Sequence, residues 1–78
     1  SLKLSLDIKL DNSNYIKILN FENILDEMDL IYTYSIFKFD QNFTEYRIIF
    51  NGTPDMFLKS MNDKNYSFNT QNKIWVLK

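Results

Sequence analysis

A chain of 78 residues fits one domain, and 45% hydrophobic against 24% charged residues is the balance of a folded chain. Nine Lys+Arg against ten Asp+Glu leave a net charge of −1, so no electrostatic excess points to nucleic acid or an anionic surface. The absence of cysteine and histidine, with a single glycine, excludes disulfides, thiolate or imidazole metal sites, imidazole-dependent triads and glycine-rich phosphate loops.

Residues 2–10 alternate without fault. Leu2, Leu4, Leu6, Ile8 and Leu10 share one face and Lys3, Ser5, Asp7 and Lys9 the other, which predicts a half-buried strand. Asp11-Asn12-Ser13-Asn14 breaks the alternation with residues that cap helices. From Tyr15 to Met28 the apolar spacing changes to three and four residues at Ile18, Phe21, Leu25 and Met28, the stripe of an amphipathic helix. Asp26, Glu27 and Asp29 stand at the wrong end of its dipole.

Residues 30–39 and 44–50 are β-branched and aromatic, and the polar start of Asp40-Gln41-Asn42-Phe43 between them predicts a hairpin. Parity of that loop sets Phe39 opposite Thr44, Lys38 opposite Glu45 and Phe37 opposite Tyr46, with Phe37, Phe39, Tyr46, Ile48 and Phe50 expected in the core. Asn51-Gly52-Thr53-Pro54-Asp55 reads as a strand-to-helix junction, with Thr53 as N-cap and Pro54 in the first turn. The glycine is expected to serve a positive φ or a close backbone approach. A short helix buries Phe57, Leu58 and Met61. A second hairpin, Tyr66–Thr70 and Lys73–Lys78, turns at Gln71-Asn72 and sets Phe68 against Trp75 and Tyr66 against Leu77.

The order βαββα plus a hairpin predicts a single α+β domain over residues 1–78. The expected architecture is a ferredoxin-like βαββαβ two-layer sandwich with both helices on one face of an antiparallel-rich sheet. The final hairpin supplies the fourth strand or adds a fifth. A start at Ser1 rather than Met suits a domain excised from a longer protein. No apolar run approaches the ~18 residues of a membrane span. Ten Asn, nine Ile, eight Lys and no Ala follow AT-rich coding, so the Asn and Lys wealth is not read as function.

No catalytic constellation emerges, and neither an enzymatic activity nor a cofactor is expected. Asp26, Glu27 and Asp29 form the only dense carboxylate group, and without EF-hand spacing it reads as a solvated helix end. The topology invites comparison with RNA-recognition modules. However, Lys3, Ser5, Asp7 and Lys9 offer no aromatic on strand one, and residues 44–50 lack the glycine-aromatic signature, so a nucleic-acid partner is not expected. The anomaly is strand two. The parity register turns Tyr32, Tyr34 and Ile36 away from the helices with Ile49 beside them, an apolar patch on an edge strand. The competing arrangement is a β-bulge near Ser35, which turns Leu30, Tyr32 and Tyr34 into the core.

The pattern Tyr46-x-Ile48-x-Phe50-x-Gly52, a short helix carrying Phe57-Leu58 and a closing Trp75-x-Leu77 resembles the C-terminal module of an uncharacterised family of proteobacterial envelope proteins. Tyr15 and Ile18 after a long alternating strand match its layout. The resemblance implies a bacterial, periplasmic accessory domain and carries over no catalytic residue. The functional expectation is a noncatalytic protein-interaction or structural module of a larger envelope protein. Its partner would be another protein or a second copy, and its candidate surface is Tyr32, Tyr34, Ile36 and Ile49. The alternative is a module that binds single-stranded nucleic acid or glycan through exposed aromatics.

Overall fold

The computed structural model describes residues 3–78, so Leu2, the first of the alternating residues, lies outside it. The element order is β1 (Leu4–Asp11), α1 (Tyr15–Glu27), β2 (Ile31–Phe39), β3 (Phe43–Phe50), α2 (Pro54–Asn62), β4 (Phe68–Asn69) and β5 (Trp75–Leu77). Leu6, Ile8 and Leu10 of β1 and Tyr46, Ile48 and Phe50 of β3 are buried on one side of the sheet. Both helices cover that side. Phe21 of α1 packs on Tyr46 at 5.4 Å between ring centres, and Phe57 of α2 meets Phe50 edge-on at 5.3 Å.

The local signals form as their chemistry dictates. Asn14 caps α1 by accepting the Lys17 N–H at 3.0 Å, and Thr53 caps α2 by accepting the Met56 N–H at 3.2 Å. At the β2–β3 turn the Asp40 carboxylate accepts the N–H groups of Asn42 and Phe43 at 2.8 and 2.9 Å. Those bonds hold its carboxyl below the usual carboxylate range.

The sheet is mixed and five-stranded, in the order β2-β3-β1-β5-β4. The α+β class and the single helical layer match expectation, but the ferredoxin-like strand order does not emerge. β1 has β5 as a parallel neighbour, through Ile8–Trp75 and Lys9–Val76, and β4 lies outside it at the edge. A two-residue β4 is too short to sit centrally. The place beside β1 goes to the strand whose Trp75 ring packs at 6.4 Å from Phe57.

The closing hairpin also differs in register. Phe68 pairs with Leu77 and Asn69 with Val76, rather than Phe68 with Trp75 and Tyr66 with Leu77. The connection runs from Thr70 to Ile74 instead of turning at Gln71-Asn72 alone, and Asn69 opens it by accepting the Gln71 N–H at 3.0 Å. Tyr66 precedes β4, following Asn65 at φ 67°, and is buried with its ring 5.8 Å from that of Phe21.

Gly52 has no positive φ, so the close approach explains it. A Cβ there would stand 2.7 Å from Phe50 Cε2 and 3.1 Å from Met56 Cε. Phe50 is fully buried and cannot yield. Gly52→Ala is therefore expected to destabilise the fold by about 1–3 kcal/mol, the usual cost of overpacking. Urea titration checks this as a lowered midpoint at unchanged slope, and an unchanged midpoint would contradict it.

Candidate functional site

β2 is an edge strand. Its inner side pairs with β3, and its outer side has no strand partner among the described residues. The pairing begins at the turn as parity requires, Phe39 with Thr44 and Lys38 with Glu45. It then shifts between Ile36 and Lys38, so that Ile36 rather than Phe37 lies opposite Tyr46, followed by Ser35–Arg47, Tyr34–Ile48 and Thr33–Ile49. A second shift between Ile31 and Thr33 brings Ile31 opposite Phe50. Each shift is an extra residue in β2 that pairs with nothing across the ladder.

These bulges divide the four residues expected on one surface. Directly opposed residues of an antiparallel pair share a face. Tyr34 and Ile36, opposite buried Ile48 and Tyr46, therefore point to the helix side, while Ile49 faces the open side. Tyr32 also lies on the open side, where Lys3 Nζ sits 3.7 Å from its ring centre. The expected outward patch of Tyr32, Tyr34, Ile36 and Ile49 is thus two pairs on opposite faces. The bulge near Ser35 that was the competing expectation comes close in position. It turns Tyr34 inward, but the second bulge returns Tyr32 to solvent. Phe37 and Phe39, expected in the core, are both exposed.

On the helix side, two phenols tie the sheet to α1. Tyr34 OH donates to Asp26 Oδ1 at 2.6 Å, and Tyr46 OH donates to Glu22 Oε2 at 2.5 Å. Burial first, then the bond to Glu22, pushes the Tyr46 phenol well above its ordinary range. For Tyr34 the bond to Asp26 leads and burial adds, raising the phenol from 10.0 to about 12. Glu22 and Asp26 are one helical turn apart, on the stripe Tyr15, Leu19, Glu22, Asp26 that faces β2. Apolar side chains of this stripe and of β2 are exposed: Ile36 is 53% exposed, Phe39 73%, Leu19 42% and Tyr15 68%.

The open face of the sheet is different in kind. Lys3 lies over Tyr32, Arg47 over Phe37 at 4.0 Å and Lys9 over Phe43 at 4.7 Å. Arg47 also grips Asp7 with two nitrogens at 2.9 and 3.3 Å. Glu45 is buried between its cross-strand neighbours Lys9 and Lys38. Long side chains screen this face only in part, since Tyr32 and Phe37 stay more than half exposed.

The sequence places β2 at an edge but assigns Phe39 to the core and Asp26 to a solvated helix end, where it instead accepts the Tyr34 phenol, and it singles out neither Leu19 nor Glu22. The signal for the carboxylate at Asp26 was its unfavourable place near the end of α1, where only a tertiary partner repays it. No group of three or more Asp or Glu among the described residues is arranged to hold a metal, and none of their helices is long and apolar enough to cross a membrane. Comparison with protein-family models, curated proteins and solved structures finds no match.

Because the Tyr34 phenol is raised above its unfolded value, the fold favours its neutral form. That contribution is complete below pH 10 and is lost as the pH climbs through about 12. Asp26→Asn is expected to bring the Tyr34 phenolate transition back toward 10, followed by ultraviolet absorbance against a Tyr34→Phe reference. An unmoved transition would show that the carboxylate does not hold the phenol.

Proposed function

We propose that the domain is a noncatalytic protein-interaction module and that the edge strand β2 is where its partner docks. The observation that carries this reading is the strand itself. It offers unpaired outer backbone together with exposed Ile36, Phe37 and Phe39. An extended segment adding to such an edge gains main-chain hydrogen bonds, while its alternate side chains lie along those exposed apolar residues. The two bulges favour selectivity, because they limit regular register to the short runs Thr33–Ile36 and Lys38–Phe39 and so oppose indiscriminate pairing.

The order β2-β3-β1 beneath a single helical layer supports reading the first half as ferredoxin-like, with the terminal hairpin as a departure. The resemblance in the Tyr46–Gly52 and Trp75–Leu77 patterns supports a place in a bacterial envelope protein. Binding of single-stranded nucleic acid or glycan by stacking has less behind it. The rings of Tyr32, Phe37 and Phe43 on the open face already carry cations of this chain.

The test is recovery of partners from an envelope extract by the wild-type domain, by Ile36→Asp with Phe39→Ser, and by Tyr32→Ser with Ile49→Ser. The Ile36/Phe39 pair is expected to lose the specific partners at least about tenfold and the Tyr32/Ile49 pair to retain them. Equal recovery by all three would remove β2 as the docking element.

A further inference from the structure

Resting on that reading, we infer that the protein partner seats a side-chain carboxamide, that of an Asn or Gln, in a small cavity on the open side of the sheet, with Glu45 and Lys38 as its hydrogen-bond partners. The cavity measures about 40 Å³ and is lined by Lys9, Lys38, Phe39, Asp40, Phe43 and Glu45. Glu45 marks it as a site. That residue is only 7% exposed, yet its carboxylate has neither a side-chain hydrogen bond nor an ion pair among the described residues. Lys9 and Lys38 stand opposite it on the two neighbouring strands without closing on it. A carboxylate so deeply placed is costly unless something donates to it.

Size and charge select the ligand. One water needs about 10–15 Å³ of such space, so the cavity holds about three linked heavy atoms. Its two lysines and two carboxylates sum to zero formal charge, so a phosphate or a metal ion would leave one sign in excess. What suits it is a small neutral group that both donates and accepts. A carboxamide has three heavy atoms, two N–H donors and one carbonyl acceptor. Its N–H groups meet Glu45 and the free oxygen of Asp40, whose Oδ1 alone accepts the two backbone bonds of the turn. Its carbonyl accepts from Lys38, because Lys9 is drawn over the Phe43 ring at 4.7 Å.

Phe39 ties the cavity to the docking edge. It is the last residue of β2, it is exposed, and it lines the cavity, so a chain lying along β2 ends against it. The methylenes of a Gln can lie on that ring while the amide enters. The domain's own nearby amides do not serve: Gln41 and Asn42 of the turn are exposed and do not line the cavity.

The probes are three fluorescein-labelled peptides of alternating Thr and Val that differ at one terminal Val position, which carries Gln, Leu or Glu. Anisotropy titrations measure their affinity for the wild-type domain and for Glu45→Leu. The Gln peptide is expected to bind the wild type about tenfold tighter than the other two, and Glu45→Leu is expected to bring it level with the Leu peptide. Acetamide alone, added to the wild type, is expected to shift the side-chain carboxyl carbon signal of Glu45 to saturation. If Glu45→Leu does not fold, that titration decides. Equal affinities among peptides that do bind, or a Glu45 signal that acetamide leaves unmoved, overturn the carboxamide site and leave the docking edge standing. Binding of no peptide while acetamide moves Glu45 overturns the docking edge and keeps the site. A Glu45 shift that saturates at lower concentrations of methyl N-acetylglucosaminide than of acetamide overturns a protein side chain as the source.

Discussion

One extra residue in an edge strand determines what this domain shows to solvent. Between Ile36 and Lys38 the β2–β3 ladder slips by one, and Thr33 to Ile36 change face relative to strict alternation until a second slip before Thr33 restores it. At the turn the register is held by the Asp40 carboxylate and by Lys38 opposite Glu45. Deeper in the strand it is held by Tyr34, which must lie on the helix side to reach Asp26. The two anchors differ by one residue, and the bulge at Phe37 reconciles them. The displaced ring is not lost, because Arg47 covers it on the open face.

The phenol–carboxylate bonds explain why the slip is worth its disruption of the ladder. Tyr46 is fully buried, and a buried hydroxyl without a partner costs about 1–3 kcal/mol. Glu22 supplies that partner, and Asp26 does the same for Tyr34 one turn along. Together they orient α1 so that Phe21 and Leu25 enter the core, with Glu22 and Asp26 against the sheet and Tyr15 and Leu19 exposed. Packing on one side of the helix thus creates the unfilled surface on the other. The surface ion pair of Arg47 with Asp7 contributes little to stability beside this, being half exposed, but it helps close the open face.

Much of the fold was legible in the chain because the signals were local. Alternation over β1, a cap within Asp11–Asn14, the Thr53 cap, and the three-and-four spacing of Phe21 and Leu25 each follow from a few neighbouring residues. What was not legible depended on contacts between distant residues. A bulge at Phe37 carries no glycine or proline to mark it, since its cause is a tyrosine reaching a carboxylate eight positions earlier in the chain. The place of β5 beside β1 follows from the packing of Trp75 on Phe57, which no local pattern encodes. The candidate surface is divided between two faces for the same reason. Its residues were the right ones for an exposed edge strand, but the face of each was inferred from parity, and parity does not survive a bulge.

The face of Ile36 is therefore the point on which the register of β2 and the docking edge both turn. Methyl nuclear Overhauser spectra of the free domain read it directly. Contacts from the Ile36 methyl groups to the Tyr46 ring, alongside contacts from the Phe37 ring to Arg47, are the result expected. Ile36 methyl contacts to Arg47 and Asp7, with the Phe37 ring against Tyr46, would contradict it.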